Sequence, residues 1–221
     1  MPGATVQTDM AASIHGLYAI TPDLADTTDL LRRVEAALAG GARLLQYRNK
    51  TADAALRLKQ ARALGAVCRR HHVPLIINDH LDLALAVNAE GLHLGGEDGS
   101  IAEARRRLGA GKLLGVSCYR SIPTALEAVA AGADYVAFGG FYPSRVKPGA
   151  TTRTPVSLLG EAKRQIALPI VAIGGITVEN APALIGAGAD SVSVITALFE
   201  ASDIEAEARR FSSLFPGRAA A

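Results

Sequence analysis

The sequence has few cysteines, little net charge and no long hydrophobic run, and each shortage excludes a class of protein. Its 221 residues include only two cysteines, Cys68 and Cys118, too few for a disulfide framework, so both are predicted to be free thiols. The formal net charge is +2, with both signs interleaved, which argues against a nucleic-acid partner or a polybasic membrane patch. Small molecules are therefore the expected partners, and a homo-oligomer is left open.

The apolar segments are too short to cross a membrane. The longest, residues 169–178, has about ten residues and is interrupted by glycine, whereas a membrane helix needs roughly 20. Residues 1–14 lack the basic start and compact apolar block of a signal peptide. We therefore expect a cytoplasmic protein with no membrane partner, in which residues 1–14 form a flexible leader and residues 216–221 a flexible tail.

Eight short apolar runs alternate with segments whose apolar residues recur three and four positions apart. This alternation predicts parallel strands with right-handed helical crossovers. With 49% hydrophobic residues and no linker, the chain favours one α/β domain, a single (β/α)8 TIM barrel over residues 15–215, rather than an open doubly wound sheet. The predicted strands are 17–20, 44–47, 74–77, 91–94, 113–116, 135–138, 169–173 and 191–195, and the clearest helices are 30–38, 54–68 and 124–130.

The seventh run ends in two glycines, Gly174 and Gly175, and the eighth ends at Ile195 and Thr196. Glycines allow backbone N–H groups to approach an anion, and a helix predicted to begin at Thr177 would add the positive end of its dipole. In a (β/α)8 barrel the loops after the last two strands often bind phosphate. The sequence therefore predicts a phosphate-binding turn here.

The second run ends with two cations. Gln46, Arg48 and Lys50 occupy alternate positions, so the period of two predicts that they point the same way at the carboxyl end of the strand. Two positive charges on one strand end favour a polyanionic ligand. The alternative is a solvated strand end with incidental basic residues.

Carboxylates follow the next two runs. Asp79 comes after Asn78 at the end of the third run, and Asp98 follows the fourth. Hard oxygen ligands beside a polyanion site suit Mg²⁺, with waters and substrate phosphates completing its coordination. The alternative is helix capping, by Asp98 just before Gly99 and Ser100, and by Asp79 or Asp82 for a helix at Leu81.

Ser117 ends the fifth run, and a long polar loop, residues 141–153, follows the sixth. A loop of this length over a barrel mouth is typical of a lid or binding loop, and Arg145 and Lys147 make it basic. No Gly-x-Ser-x-Gly elbow surrounds Ser117, which favours a hydrogen-bonding role over a nucleophilic one. The histidines lack metal-ligand spacing, and His93 is predicted to be packed or to line the mouth.

In their order along the chain, the motifs resemble those of the thiamine-phosphate synthase family, from Tyr18 to Leu198. They are Tyr-Ala-Ile-Thr at 18–21, Gln-x-Arg-x-Lys at 46–50, Asn-Asp at 78–79, His-Leu-Gly-x-Glu-Asp at 93–98, Gly-Val-Ser at 115–117, Gly-Gly-Ile at 174–176 and Ile-Thr at 195–196. So many ordered matches are specific, although each motif alone is not.

The resemblance implies an enzyme that joins hydroxymethylpyrimidine diphosphate to hydroxyethylthiazole phosphate, giving thiamine phosphate and pyrophosphate, with Mg²⁺ as cofactor. It also implies the residues that bind each group. The pyrimidine diphosphate falls to Gln46, Arg48, Lys50, Asn78, Ser117 and Lys147; the thiazole phosphate to Ser144, Gly174, Gly175, Ile195 and Thr196; and Mg²⁺ to Asp79 and Asp98. The residues implied to be catalytic are Arg48, Lys50, Lys147 and Ser117.

One motif departs from the family. The loop usually reads Pro-Thr-x-Thr-Lys, whereas residues 143–147 read Pro-Ser-Arg-Val-Lys, so Val146 cannot supply the second hydroxyl and Arg145 or Thr151 is left as its substitute. Two rival functions are a thiazole tautomerase on the same barrel, which needs no diphosphate site, and a phosphate-binding barrel without catalytic activity.

Overall fold

Eight parallel strands close into a barrel in chain order, with β8 pairing to β1. The computed structural model describes residues 14–95, 99–143 and 153–215. The strands are β1 Gly16–Ile20, β2 Leu44–Tyr47, β3 Leu75–Asn78, β4 Gly91–Leu94, β5 Leu113–Tyr119, β6 Tyr135–Gly139, β7 Ile170–Ile173 and β8 Ser191–Val194. The predicted (β/α)8 barrel is confirmed, and each predicted run corresponds to one strand.

Helices follow the strands and surround the barrel. Those in the described ranges are α1 Thr27–Ala39, α2 Ala54–Arg70, α3 Leu81–Ala86, α4 Ile101–Leu108, α5 Ile122–Ala130, α6 Ser157–Gln165, α7 Ala181–Gly186, α8 Thr196–Phe199 and α9 Ile204–Ser213. Helix α7 begins at Ala181, so the prediction of a helix from Thr177 is wrong. The side chain of Asn180 accepts a hydrogen bond from the Thr177 N–H and donates to the Gly175 carbonyl, which holds the intervening residues in a turn.

Short polar side chains start several of the helices. Asp26 accepts a hydrogen bond from the N–H of Thr28 at 2.8 Å, and Asp53 accepts one from the N–H of Leu56 at 2.8 Å. Such caps satisfy N–H groups that have no partner within the helix. These caps fix where each helix begins, and so they set the length of the loop between the helix and the strand before it.

The barrel interior forms a small core of its own. Its buried residues are Ile14, Tyr18, Leu44, Ile76, Leu113, Tyr135, Ala137 and Val171. Gly115 leaves room for the Tyr135 ring, because a Cβ at position 115 would lie 2.0 Å from the Tyr135 Cζ atom. A larger apolar layer packs between barrel and helices and includes Cys68 and Cys118, which are buried and free as predicted.

Acidic residues hold the amino ends of the strands. Asp134, just before β6, accepts a hydrogen bond from the N–H of Leu114 at 2.7 Å, and Asp190, just before β8, accepts one from the N–H of Ile170 at 2.7 Å. Glu90 does the same for the first residue of β3 at 3.0 Å. These contacts close one end of the barrel, opposite the end at which its polar loops gather. Within the described ranges, no helix combines the length and apolar character of a membrane span.

Candidate active site

Arg48 and Lys50 follow β2 directly, and residues after β1 hold them in place. The Thr21 hydroxyl accepts a hydrogen bond from the Arg48 N–H at 2.9 Å and donates to the Arg48 carbonyl at 2.8 Å. Asp23 accepts a hydrogen bond from the Lys50 N–H at 2.8 Å and lies 3.2 Å from the Arg48 guanidinium. Because β2 ends at Tyr47, these contacts fix the Arg48 guanidinium and the Lys50 backbone where strand alternation no longer applies.

Asp79 follows β3 with a φ of 60°, in the left-handed region that Asp and Asn tolerate better than most residues. Its N–H donates to the His93 carbonyl at 2.9 Å, which ties the turn to β4. The side-chain amide of Asn78 donates to the Asp79 carboxylate. His80 occupies the N-cap of α3 without a side-chain cap bond, so Asp79 is not the cap of that helix.

A cavity of about 250 Å³ joins the exits of β2 and β3. The residues around it are Tyr47, Arg48, Asn49, Lys50, Arg57, Ile77, Asn78, Asp79, His80 and Leu83. Three cations, Arg48, Lys50 and Arg57, thus share a cavity with the Asp79 carboxylate. Four residues predicted for the diphosphate and the metal, Arg48, Lys50, Asn78 and Asp79, lie around one opening.

Gln46 and Ser117 are joined through the barrel interior by a chain of hydrogen bonds. The Gln46 amide Nε2 donates to the Tyr18 hydroxyl at 3.0 Å, and the hydroxyls of Tyr18 and Tyr135 are 2.8 Å apart. Nδ1 of His93 lies 3.1 Å from the Tyr135 hydroxyl, and its Nε2 lies 2.8 Å from the Ser117 Oγ. The chain therefore connects two predicted ligands of the pyrimidine diphosphate.

Tyr18 and Tyr135, the two tyrosines of this hydrogen-bond chain, are both neutral hydroxyls. Burial raises the pKa of Tyr135 well above its ordinary value of 10.0, and burial likewise raises the pKa of Tyr18. Each can therefore donate one hydrogen bond and accept others. In the described part of the chain, every buried side-chain nitrogen and oxygen has a hydrogen-bond partner.

The glycine turn after β7 packs under the exit of β6. Gly174 and Gly175 have φ values of 110° and 61°. A Cβ on Gly175 would lie 2.2 Å from the Pro143 carbonyl oxygen, and one on Gly174 would lie 2.5 Å from the Gly140 Cα atom. The close approach of two loops therefore requires these glycines, independently of any anion above them.

A short helix, α8, follows β8 directly. Ile195 is half-buried and occupies the N-cap of α8, and Thr196 is the first residue of that short helix. Barrels often bind phosphate with the loops after their last two strands and a short extra helix. Ile195 and Thr196 therefore remain candidates for the thiazole phosphate, together with the glycine turn.

Several predicted residues lie outside the described part of the chain, namely Asp98, Ser144, Lys147, Arg145, Val146 and Thr151. That Arg145 or Thr151 substitutes for the hydroxyl missing at Val146 therefore stays a prediction. Ser100 is the N-cap of α4 and accepts a hydrogen bond from the Glu103 N–H at 3.3 Å, so that helix has a cap other than Asp98. Among the described residues, no group of three or more His, Cys, Asp and Glu side chains could hold a metal ion.

Sequence reasoning missed the residues that support the site from neighbouring strands. Thr21 and Asp23 hold the β2 exit, Arg57 adds a third cation, and Tyr18 and Tyr135 join Gln46 to Ser117. The available signal was the Tyr-Ala-Ile-Thr motif, which Tyr18 opens and Thr21 closes. The other contacts depend on strand register and on pairs that meet across the barrel.

The closed barrel and the basic cavity at the carboxyl ends of its strands define an enzyme of the (β/α)8 class. The family model described as thiamine monophosphate synthase matches residues 17–198. The chain belongs to the thiamine-phosphate synthase family.

Curated relatives are similar over almost their whole length. The thiamine-phosphate synthase of Nitrosomonas eutropha is 54% identical over 202 residues, covering 91% of this chain and 95% of the relative. That of Thiobacillus denitrificans is 56% identical over 200 residues, covering 90% of this chain and 94% of the relative. The family motifs therefore occur in a chain that matches these relatives over about nine tenths of its length.

Solved structures agree with the barrel. The thiamine phosphate pyrophosphorylase of Pyrococcus furiosus superposes with a TM-score of 0.81 at 30% identity, covering 93% of this chain and 96% of that one. A 3-hexulose-6-phosphate synthase superposes with a TM-score of 0.67 at 19% identity, covering 90% of this chain and 99% of that one. The second likeness shows the fold alone.

Proposed function

We propose that this chain transfers the 4-amino-2-methylpyrimidinylmethyl group from its diphosphate to 4-methyl-5-(2-phosphoethyl)thiazole, forming thiamine phosphate and pyrophosphate. Family membership supports the reaction. The observation that carries the site is that Arg48, Lys50 and Asp79 surround one cavity, with Asn78 beside them. A thiazole tautomerase needs no diphosphate site, so this cavity favours the synthase. We also keep the prediction that the enzyme is cytoplasmic.

The reaction is a dissociative substitution at the methylene carbon of the pyrimidine. The carbon–oxygen bond breaks, and the diphosphate leaves with the electron pair. The electron-rich aminopyrimidine stabilises the cation, and the thiazole nitrogen then captures it with its lone pair. The main task of the protein is therefore to stabilise the negative charge that develops on the leaving diphosphate.

The β2 exit supplies much of that stabilisation. Arg48 is partly buried, and its backbone is held on both sides by Thr21. A cation fixed before reaction stabilises developing charge without reorganising. Lys50 and Arg57 add charge in the same cavity, and the proposed contributions of Lys147 and Ser117 come from other strand exits.

The oxygen atoms at the β3 exit fit a magnesium ion. Asp79 and Asn78 both line the cavity, and the carboxylate and amide oxygens of such side chains are hard ligands of the kind that Mg²⁺ prefers. We propose Asp79 and Asp98 as its protein ligands, with waters and diphosphate oxygens as the others. The bound ion would supply positive charge to the leaving diphosphate.

The thiazole phosphate is proposed to bind on the other side of the mouth. Gly174 and Gly175 after β7, Ile195 and Thr196 after β8, and Ser144 would surround it. The support from the structure is the tight turn below the β6 exit and the short helix α8. The two substrates would then meet above the barrel interior, where surrounding loops limit the access of water to the cation.

The test is a pyrophosphate-release assay with both purified substrates, run with Mg²⁺ and with a chelator, and with thiamine phosphate identified by chromatography. We expect pyrophosphate and thiamine phosphate in equal amounts, and only with the metal. Isomerisation of the thiazole without pyrophosphate release would identify a tautomerase. Binding of both substrates without turnover would identify a binding protein.

A further inference from the structure

The amide donor at one end of the hydrogen-bond chain sets the order of protons along its described contacts. Gln46 Nε2 can only donate, so the Tyr18 oxygen accepts its hydrogen. The Tyr18 proton then goes to the Tyr135 oxygen, 2.8 Å away. In the reverse arrangement, Tyr135 would donate to the Tyr18 oxygen. The Tyr18 proton would then point at the Gln46 amide N–H, which is itself a donor.

The same order continues through His93. With its oxygen accepting from Tyr18, Tyr135 donates its own proton to Nδ1 of His93, 3.1 Å away. Because Nδ1 accepts this proton, the N–H of His93 lies on Nε2. That N–H donates to the Ser117 oxygen at 2.8 Å, so the proton of Ser117 stays free to point toward a ligand at the mouth.

We propose that Tyr135 and His93 are positioning residues, which make the Ser117 hydroxyl a donor toward the diphosphate by fixing His93 as its Nε2–H tautomer. This inference rests on the proposed function, because a diphosphate only accepts hydrogen bonds. In the opposite tautomer, Nε2 would accept the Ser117 proton and turn it away from the anion. His93 then acts through Ser117 without touching the substrate.

The position of these residues supports a directing role. Tyr135 is fully buried and His93 is 6% exposed, whereas Ser117 is half-buried at the mouth. The chain is closed to solvent at its inner members, where an unpaired polar group is costly and the proton order is therefore strongly fixed. Gly115 preserves it, because a Cβ there would displace the Tyr135 hydroxyl, which lies 2.3 Å from the Cβ position.

The direct test is nuclear magnetic resonance of protein labelled with ¹⁵N in its histidine rings, using long-range ¹H–¹⁵N correlation. The His93 signals are assigned by their absence in His93→Gln. We expect the Nε2–H tautomer in the natural protein and a population of Nδ1–H in Tyr135→Phe. Tyr18→Phe is the matched control, since Tyr135 still donates to Nδ1 and the Nε2–H tautomer should persist.

Steady-state kinetics test whether the chain acts through Ser117. Tyr135→Phe should lower kcat/KM for the pyrimidine diphosphate by roughly tenfold, the lower end of the losses found for residues that support metal ligands. The KM for the thiazole phosphate should be nearly unchanged. In a Ser117→Ala background the same substitution should have almost no further effect. A purely structural role would give the same loss in both backgrounds.

The outcomes separate this proposal from the proposed function. An Nδ1–H or doubly protonated His93 in the natural protein would overturn the proposal whatever the activity, as would equal losses with and without Ser117. If the natural protein forms no thiamine phosphate, the proposed function fails, and the tautomers in the natural protein, Tyr135→Phe and Tyr18→Phe still decide whether Tyr135 fixes His93.

Discussion

At the scale of single residues, Asp79 combines an unusual backbone conformation with a position on the cavity. Its φ of 60° and the hydrogen bond from its N–H to the His93 carbonyl fix the backbone of the turn that follows β3. Asp79→Asn keeps a residue that tolerates this conformation but removes the charge. We expect turnover to fall about a hundredfold, the cost of losing one preorganised electrostatic partner, and the Mg²⁺ concentration for half-maximal rate to rise.

The matched control for this substitution is Asp82→Asn. Asp82 is three residues further along, is 86% exposed and pairs with Arg107 away from the cavity. Thermal unfolding of both variants should match that of the natural protein. Equal rates for Asp79→Asn and Asp82→Asn across a magnesium titration would remove Asp79 from the metal site.

At the scale of strands and helices, local sequence predicts the barrel well. The eight runs form strands. Short apolar segments bounded by glycine, proline and polar residues are typical of parallel strands that are buried on both faces. The start of α7 was not predictable from local pattern alone. There, Asn180 bonds to the backbone at Thr177 and Gly175 and so delays the helix.

The candidate site was predicted only in part. Arg48 and Asp79 could be placed together because the carboxyl ends of neighbouring parallel strands meet. Asp23 and Tyr135 could not, because their roles depend on which side chains face each other across β1 and β2 or across the barrel. Local sequence patterns do not predict which residues are paired between neighbouring strands or face each other across the barrel.

The turn after β7 gives a prediction for the thiazole subsite. Gly175→Ala places a Cβ at positive φ and 2.2 Å from the Pro143 oxygen, so the β6 loop must move. We expect a loss of about 1–3 kcal/mol in unfolding free energy, typical of overpacking and backbone strain. The KM for the thiazole phosphate should rise several-fold more than that for the pyrimidine diphosphate.

Gly186→Ala serves as its control. Gly186 ends α7, and nothing lies within 4 Å of its Cβ position. Its urea midpoint should equal or slightly exceed that of the natural protein, because alanine favours helix. An unchanged thiazole KM in a folded Gly175→Ala enzyme would argue against this turn as the phosphate site.

At the scale of the whole molecule, the two ends of the barrel have different tasks. Asp134 lies at the amino end of β6, opposite the mouth. It accepts a hydrogen bond from the Leu114 N–H and forms an ion pair with Arg105. Asp134→Ala leaves a largely buried guanidinium with carbonyl acceptors but without its carboxylate partner, a loss worth about 3 kcal/mol. The unfolding midpoint in urea should fall accordingly, while kcat at 25 °C stays within about twofold, since the proposed catalytic groups lie at the opposite face.

The exposed pair of Glu103 and Arg106 on α4 provides the comparison. Pairs of this kind contribute little because solvent screens them, so Glu103→Ala should leave the urea midpoint unchanged. A large loss of kcat in Asp134→Ala at temperatures where it is fully folded would contradict the division between the two ends.

Buried acidic groups throughout the molecule predict loss of stability at high pH. Burial raises the pKa of Cys68, and burial likewise that of Cys118, from 9.0 to about 12, and burial raises the pKa of Tyr47 from 10.0 to about 12. Above pH 9 the unfolded chain releases thiol protons that the folded chain keeps. Unfolding therefore releases protons, and each one lowers the unfolding free energy by about 1.4 kcal/mol per pH unit.

Urea midpoints should be nearly constant between pH 7 and pH 8 and fall progressively from pH 9 to pH 11, with recovery on return to pH 7. Cys68→Ala removes one of these groups, so its midpoint should fall less steeply over the same range, although it starts lower because a buried side chain has been truncated. Parallel curves for the two proteins would show that the Cys68 thiol is already free to ionise in the folded barrel, which its burial opposes.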